Sequence, residues 1–164
     1  MFEKREGEIQ IENDPARMQG DATLVFIGRI LSPWKDRGDC PKNMRQARER
    51  GKPAVIEINE PYRQGLDGLE NVTHIVILSW LGDAPRNLIV QKPRLAEKPR
   101  GTFALRSPAR PNPVGLHVAR LLHLDRQSGR LEIDGIDALD QTPVVDIKPY
   151  YASTDSVADA GTGI

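Results

Sequence analysis

The sequence predicts a mainly β fold, either a small barrel or a folded-over sheet of short strands, with one or two short helices. The apolar segments are short and separated by turn residues, since 14 Gly and 13 Pro are scattered along the 164 residues. Several segments alternate apolar and polar residues with a period of two, as half-buried strands do. The strand–helix alternation and GxGxxG motif of a Rossmann fold are both missing, so any nucleotide-like cofactor would be bound in another way.

Each predicted strand rests on a local pattern. Residues 24–31 form an apolar run that ends at Ser32-Pro33, and residues 54–58 alternate between two flanking prolines. Residues 73–81 are rich in β-branched side chains, which is typical of a buried central strand. The other predicted strands are residues 7–11, 101–106, 114–124, 130–133 and 142–147.

The segment 114–124 has two distinct faces. One carries the apolar side chains of Val114, Leu116, Val118, Leu122 and Leu124, and the other carries those of His117, Ala119, Leu121 and His123. Because both histidines alternate with apolar residues, we expect them in the core or on the surface rather than on a metal. With His74 also in a strand and Cys40 the single cysteine, the sequence predicts no metal site.

Helical signals are confined to two short segments. Residues 43–50 are predicted to form a two-turn helix with Asn43 as its N-cap and Gly51 just past its end, and residues 65–69 one further turn. The length suits one domain rather than two. The expected organisation is a polar N-terminal extension (1–21), a β domain (22–151) and a loose C-terminal tail (152–164).

Composition narrows the class of protein. The 23 basic and 23 acidic residues give a net charge of zero, so no global charge draws the chain to a polyanion. A single cysteine excludes an intrachain disulfide and suits a reducing compartment. The N-terminus has no apolar signal-peptide core, and no apolar run is long enough to span a bilayer. We therefore expect a soluble, cytoplasmic protein with no membrane partner.

The most informative stretch is RSPARPNPVG at residues 106–115. Its three prolines restrict the backbone, so the loop has little conformational entropy left to lose on binding. Arg106, Arg110 and Asn112 on such a loop suit carboxylates, phosphates or base edges. The alternative is a rigid turn whose arginines pair with nearby acids.

A second polar stretch, residues 136–150, crowds Asp137, Asp140 and Asp146 together. Carboxylates at strand ends can accept hydrogen bonds from ribose hydroxyls or an adenine amino group, and can stabilise a sulfonium. The alternative is structural, because aspartates often cap turns and Asp146 could pair with Lys148 on the surface.

Two further loops carry candidate ligand contacts. Residues 32–43 form a polar loop after a predicted strand, which is the usual location of such contacts. In the turn at residues 80–86, Gly82 would let the backbone approach a ligand closely and Asp83 offers an acceptor. Cys40, in the first loop, is not expected to be a covalent catalyst.

Two strings resemble the TrmO-type (TsaA-like, YaeB) tRNA methyltransferases. FALRSPARPNPVG at residues 103–115 is similar to the family's F-A-x-R-S-x-x-R-P-N-P-[IV]-G, and DALDQTPVVDIKPY at residues 137–150 is similar to its D-x-x-D-G-T-P-[VL]-x-D-[IL]-K-P-Y. Weaker matches lie at Ile27-Gly28, Ser32-Pro33, Pro41, Gly68-Leu69 and His74. The resemblance covers roughly residues 24–151.

The resemblance implies a small single-sheet pseudobarrel of about seven or eight short strands. It also implies S-adenosyl-L-methionine as cofactor and a homodimer with the cofactor near the interface. The family's reaction is N6-methylation of threonylcarbamoyl-adenosine next to the anticodon of certain tRNAs. Cofactor contacts carried over by motif would be Pro41, Lys42, Asn43, Gly82, Asp83, Arg106, Leu116, Asp137, Ala138, Leu139 and Asp140. Catalytic or substrate-facing positions would be Asp146, Arg110 and Asn112, with Lys148 and Tyr150 nearby.

Two positions depart from the family pattern. Gln141 stands where the family has Gly, and Gly82-Asp83 align with a His-Gln pair found in some members. Many members also carry a further C-terminal domain that helps to bind tRNA.

Methyl transfer from a sulfonium needs alignment and desolvation rather than a covalent catalyst. Asp146 or Asp137 would be the base if the acceptor is an amide-like nitrogen.

Four functions remain open at this point. The chain could be a tRNA methyltransferase with a basic surface that includes Lys42, Arg45 and Arg48, alone or with a partner. It could methylate a smaller substrate, or be a regulatory module that binds the cofactor without catalysis. A β domain that mediates protein contacts is the fourth, and the joint presence of the Arg and Asp strings argues against it.

Overall fold

The computed structural model describes residues 4–94 and 96–161, which form two compact units. The larger contains residues 26–78 and 116–161, and the smaller contains residues 4–25, 79–94 and 96–115. Most of a six-stranded pseudobarrel lies in the larger unit, and a three-stranded sheet lies in the smaller. The prediction of a mainly β pseudobarrel with few short helices is confirmed.

The regular elements are short, as the many turn residues predict. The strands are β1 (Ile9–Gln10), β2 (Gly28–Leu31), β3 (Ala54–Ile58), β4 (His74–Trp80), β5 (Leu88–Gln91), β6 (Arg100–Gly101), β7 (Val114–Asp125), β8 (Arg130–Ile133) and β9 (Pro143–Pro149). The α-helices are α1 (Met44–Arg50) and α2 (Ala152–Asp155). Three 3-10 helices span Glu60–Leu66, Leu69–Asn71 and Thr102–Ala104.

The pseudobarrel has the strand order β2-β3-β8-β7-β4-β9, and β9 also pairs antiparallel with β2. Registers such as Ile30 opposite Ile56 and Ile56 opposite Leu131 place apolar side chains of neighbouring strands on the same face. That face forms the core. Its fully buried members include Ile30, Ile56, Ile75, Ile77, Leu131 and Ile133.

The predicted strand at residues 24–31 is shortened at its start. Pairing with β3 begins at Gly28, which lies opposite Ile58, the last residue of β3. Residues before Gly28 therefore have no β3 residue to pair with, and the side chains of Leu24, Val25 and Phe26 are exposed. By contrast, β3 and β8 occupy the predicted residues.

Strand β7 buries the face that carries its histidine. His117 and Ala119 are buried, whereas Leu116 and Leu122 on the other face are 49% and 48% exposed. The register with β8 shifts between Leu121 and His123, so the simple alternation does not continue along the strand. Most of the apolar side chains predicted to share one face of this strand are thus turned outward.

Helix α1 has the caps that its sequence predicts. The Oδ1 of Asn43 accepts a hydrogen bond from the backbone N–H of Gln46 at 3.0 Å. Gly51 ends the helix in the left-handed conformation, with φ of 60°, and its N–H donates to the carbonyl of Arg48. The further turn predicted at residues 65–69 is replaced by the two 3-10 helices of this region.

The smaller unit contains the sheet β1-β5-β6. The predicted strand at residues 7–11 is reduced to β1, and the one at residues 101–106 to β6 and a 3-10 turn. Strand β5 was not predicted from the sequence, although its LIV run was the available signal. In β5 the Nε2 of buried Gln91 donates to the carbonyl of Ala109 at 2.5 Å and to the Oγ1 of Thr102 at 2.6 Å.

Near the C-terminus, α2 lies in the segment predicted to be a loose tail, and its residues are exposed. The domain boundaries drawn from the sequence stay a prediction. Within residues 4–94 and 96–161, no helix has the length and apolar character needed to cross a membrane.

Replacing the fully buried Ile56 with alanine leaves a cavity in the core. Ile56→Ala should therefore lower the free energy of unfolding by about 2–5 kcal/mol, measured by urea denaturation. The control Val157→Ala changes a side chain that is 65% exposed, and it should shift stability by less than about 0.5 kcal/mol. Equal effects of the two substitutions would contradict the position of the core.

Candidate functional site

The turn at residues 136–140, here called the Asp turn, is held against the loop that follows β2. The indole Nε1 of Trp34 donates to the carbonyl of Ile136 at 2.8 Å, and the Oγ of Ser32 donates to that of Ala138 at 2.9 Å. The backbone N–H of Asp140 donates to the carbonyl of Trp34 at 2.8 Å. Ile136 and Ala138 are also buried, so burial and the hydrogen bonds to residues 32–34 together hold the main chain of the turn.

Asp140 braces this contact with its carboxylate. Its Oδ1 accepts from the backbone N–H of Ser32 at 3.0 Å, and its Oδ2 accepts from the Nζ of Lys35 at 2.5 Å. Burial opposes the charged form of Asp140, but the hydrogen bonds from Lys35, Gln141 and Ser32 outweigh it and lower the pKa overall. Asp140 is thus an ionised brace whose two oxygens both have partners within the chain.

Asp137 is placed differently. Its Oδ1 lies 2.6 Å from the Nδ1 of His117, whose side chain is 4% exposed. Within the part of the chain that the structure describes, its Oδ2 has no hydrogen-bond partner. The carboxylate is 18% exposed, so this oxygen can accept a hydrogen bond from a ligand.

Cys40 lies near Asp137 and is half-buried. Burial, together with the negative charge of Asp137, raises the pKa of the Cys40 thiol to about 11, and Arg50 counteracts only part of this shift. The thiol therefore stays protonated at neutral pH.

The neighbouring predicted contacts are arranged around the start of α1. Pro41 is buried, and the backbone N–H of Lys42 donates to the Oε1 of Gln46 at 3.0 Å. The Oδ1 of Asn43 is occupied by the N-cap hydrogen bond. The side chain of Lys42 is exposed, so this segment offers a cation to a ligand more readily than it offers an amide oxygen.

On β9, Asp146 forms the pair with Lys148 that the sequence offered as an alternative. The Nζ of Lys148 lies 2.8 Å from the Oδ2 of Asp146, and this hydrogen bond and charge raise the pKa of Lys148. The Oδ1 accepts from the backbone N–H of Ile147 at 2.9 Å. A catalytic role for Asp146 stays a prediction, and it would require the carboxylate to leave Lys148.

In the smaller unit, the loop at residues 106–113, here called the Arg loop, is braced by its own side chains. The Nη1 of Arg110 donates to the carbonyls of Leu105 and Ser107, both at 3.1 Å. Arg106 and Asn112 are exposed, as are Gly82 and Asp83 in the turn after β4. The sequence alternatives for Arg110 were a ligand contact or a pair with an acid, and the observed partners are backbone carbonyls.

Arg86, which was not predicted from the sequence as a site residue, also supports this loop. Its Nε donates to the carbonyl of Pro111 at 2.6 Å, and its Nη2 donates to the Oδ1 of Asn112 at 3.2 Å. The guanidinium also lies 5.5 Å from the centre of the Trp80 ring. The amide oxygen of Asn112 is therefore engaged, and its NH₂ group is the part that remains for a ligand.

A cleft of about 360 Å³, which was not predicted from the sequence, lies in the larger unit. Its lining residues include Phe26, Arg29 and Glu57. Gln141, in the family's Gly position, lines it and has a left-handed backbone with φ of 65°. Its Oε1 accepts from Arg29 at 3.3 Å and its Nε2 donates to Asp140 at 3.2 Å. A glycine at position 141 would make neither of these side-chain hydrogen bonds.

The predicted site residues are thus distributed over both units. The larger unit holds the Asp turn, Pro41, Lys42, Asn43, Leu116 and Asp146, and the smaller holds Gly82, Asp83, Arg106, Arg110 and Asn112. Leu116 begins the part of β7 in the larger unit and is exposed. Among residues 4–94 and 96–161, no group of three or more His, Cys, Asp or Glu could hold a metal ion.

A family model described as the tRNA-methyltransferase O N-terminal domain matches residues 29–156. The chain belongs to this family. The family membership proposed from the Arg and Asp strings is therefore confirmed, and the match includes both strings.

Individual relatives agree with this assignment. VirR of Rhizobium radiobacter, named a probable S-adenosyl-L-methionine-binding protein, is 41% identical over 132 residues, which cover 80% of this chain and 72% of VirR. An Archaeoglobus fulgidus protein named S-adenosyl-L-methionine-binding protein is 40% identical over 134 residues, covering 82% and 93% of the two chains.

The solved structures show the same fold. A crystal structure of TrmO from Pseudomonas aeruginosa superposes with a TM-score of 0.71 at 34% identity. The match covers 88% of this chain but 62% of the TrmO chain. This chain therefore spans less than two thirds of the length of that protein.

The single cysteine makes the surroundings of Asp137 measurable. Because the thiol pKa is about 11, alkylation of Cys40 by iodoacetamide at pH 8 should be slow and should accelerate towards pH 11. Asp137→Asn removes one of the charges that raise the pKa, so it should speed alkylation at pH 8. Rates can be followed by intact-protein mass spectrometry, and Asp67→Asn, at an exposed side chain, serves as the control. An unchanged rate in Asp137→Asn would place the carboxylate away from the thiol.

Proposed function

We propose that this chain is an S-adenosyl-L-methionine-dependent methyltransferase that modifies threonylcarbamoyl-adenosine next to a tRNA anticodon. The observation that carries this proposal is the Asp turn. It overlaps the family's second string, its backbone is held by hydrogen bonds from Ser32 and Trp34, and one carboxylate oxygen of Asp137 is left without a partner among the described residues. Membership of the TrmO family and the names of the relatives support the choice of cofactor and reaction.

The residues of the Asp turn fit this cofactor. The Oδ2 of Asp137 is an acceptor on a side chain that is 18% exposed, and it suits a ribose hydroxyl or an adenine amino group. Lys42 and the turn residues Ala138 and Leu139 would complete the contacts carried over from the family. When bound, the cofactor supplies an electrophilic methyl group on a sulfonium. The task of the chain is then to orient that group and to exclude water.

The Arg loop is proposed to hold the methyl acceptor. The NH₂ group of Asn112 and the exposed Arg106 are donors on a loop whose prolines and internal hydrogen bonds restrict its motion. The Nη1 of Arg110 makes the hydrogen bonds to the carbonyls of Leu105 and Ser107. The N–H groups of its Nε and Nη2 take no part in those two bonds and can donate to a ligand. Such donors match the carboxylate of a threonylcarbamoyl group.

A local basic segment supports tRNA as the substrate despite the zero net charge. Residues 35–52 contain seven Lys or Arg and three Asp or Glu, which give a local net charge of +4. The side chain of Arg45 on α1 is 82% exposed, and that of Arg48 is 46% exposed. Clustered exposed cations of this kind are what phosphate binding requires.

A homodimer is the proposed assembly. The outward face of β7 exposes Leu116 and Leu122, which suits burial against a second copy. Because tRNA modification takes place where tRNA is used, we place the protein in the cytoplasm.

Asp146 is the proposed base, released from Lys148 when the acceptor binds.

The cofactor site can be tested by calorimetric titration of the purified protein with S-adenosyl-L-methionine. Asp137→Asn should weaken binding by about tenfold or more, since hydrogen bonds to charged groups contribute about 1.5–3 kcal/mol. Asp67→Asn, at an exposed carboxylate paired with Arg126, should bind as the unsubstituted protein does. Absence of heat with the folded protein would refute the proposed cofactor.

The acceptor can be tested with tRNA that carries threonylcarbamoyl-adenosine and with matched tRNA that lacks it. Mass spectrometry of the digested nucleosides should show methylation of the first tRNA only. Arg45→Glu should raise the KM for tRNA several-fold and reduce its dependence on salt, because one phosphate contact is lost. Arg17→Glu, outside the basic segment, is the control. If cofactor binds but neither tRNA is methylated, a smaller acceptor or a non-catalytic role replaces the proposal.

A further inference from the structure

We propose that His117 is a positioning residue that holds the Asp137 carboxylate in the orientation required for cofactor binding. This inference rests on the proposed function, in which Asp137 contacts S-adenosyl-L-methionine. His117 itself lies in the pseudobarrel strand β7, with its side chain buried, and need not touch the ligand.

His117 occupies a buried position on β7. Its side chain is 4% exposed, and the next inward residue of β7 in the larger unit is the fully buried Ala119. A polar ring at such a position is unfavourable unless its nitrogens are hydrogen-bonded. The Nδ1 atom has its partner in the Oδ1 of Asp137 at 2.6 Å, a short distance of the kind found when the acceptor is ionised.

The hydrogen bond between His117 and Asp137 has a defined direction. A carboxylate can only accept, so the Nδ1 of His117 must carry the proton. This assignment follows from the partner, since hydrogen positions are inferred. His117 therefore donates to Asp137 whether the ring is neutral or charged.

The hydrogen bonds from Ser32 and Trp34 hold the main chain of the Asp turn rather than the side chain of Asp137. Ser32 and Trp34 hold the main chain of the turn through the carbonyls of Ala138 and Ile136. Among the described residues, neither is hydrogen-bonded to the side chain of Asp137, whose rotamer these bonds leave unset. In the part of the chain that the structure describes, the hydrogen bond from His117 is what selects among them.

The consequence is preorganisation. With Oδ1 committed to His117, Oδ2 is the oxygen that a ligand hydroxyl or amino group meets. A side chain that is ordered before binding loses less rotamer entropy on binding. Removing the imidazole would therefore weaken cofactor affinity even though His117 makes no proposed contact with the cofactor.

The test compares His117→Leu, which keeps apolar volume and removes the donor, with His117→Asn, whose amide nitrogen can stand in for Nδ1. Calorimetric titration with S-adenosyl-L-methionine should show about tenfold weaker binding for His117→Leu and recovery of most of it for His117→Asn. In the Asp137→Asn background, His117→Leu should add little. Equal loss in both His117 variants, or an undiminished effect in the Asp137→Asn background, would overturn the inference.

A second measurement does not depend on the folding of any variant. The chain has three histidines, so the ring nitrogens of His117 can be assigned by ¹⁵N NMR of the unsubstituted protein. We expect Nδ1 to be protonated with and without S-adenosyl-L-methionine. A neutral ring protonated only at Nε2 would overturn the inference.

Failure of the inference can be told apart from failure of the proposed function. If the unsubstituted protein does not bind S-adenosyl-L-methionine, or Asp137→Asn binds it normally, the proposed cofactor contact fails and the role of His117 fails with it. If Asp137→Asn weakens binding and His117→Leu does not, the contact stands and the positioning role alone is rejected.

Discussion

The hydrogen bonds between residues 32–34 and the Asp turn are the interaction on which the candidate site depends. They join segments more than 100 residues apart, through the side chains of Ser32 and Trp34 and the backbone of Asp140. Buried polar groups must be paired, so these contacts fix both segments at once. The position of the loop that leads to Pro41 and α1 follows from the same contacts.

Three aspartates that look alike in the sequence have different surroundings in the fold. Asp140 is surrounded by donors from Ser32, Lys35 and Gln141, and its pKa is lowered despite the effect of burial. Asp146 forms a surface pair with Lys148. Asp137 has one oxygen bonded to His117 and the other open among the described residues. The neighbours of each carboxylate, rather than its residue type, determine what it can bind.

The Arg loop shows the same principle for cations. Arg110 donates to carbonyls of its own loop, and Arg86 supports Pro111 and Asn112 from the turn after β4. These two side chains use donors to hold the loop. In the larger unit, Arg45 and Arg48 on α1 are exposed and pair with Glu49 and Asp134, respectively. Cations in a chain of zero net charge thus make contacts within the chain even where they are exposed.

Features that depend on local chemistry could be predicted from residue type and spacing. The residues of β3 and β8 and the caps of α1 follow from alternation, from Asn43 and from Gly51, and the Arg and Asp strings identified the family. The buried face of β7, the start of β2 and the support that Arg86 and His117 give to predicted site residues became visible in the folded chain. These outcomes depend on partners distant in the chain, and residue type and spacing do not specify those partners.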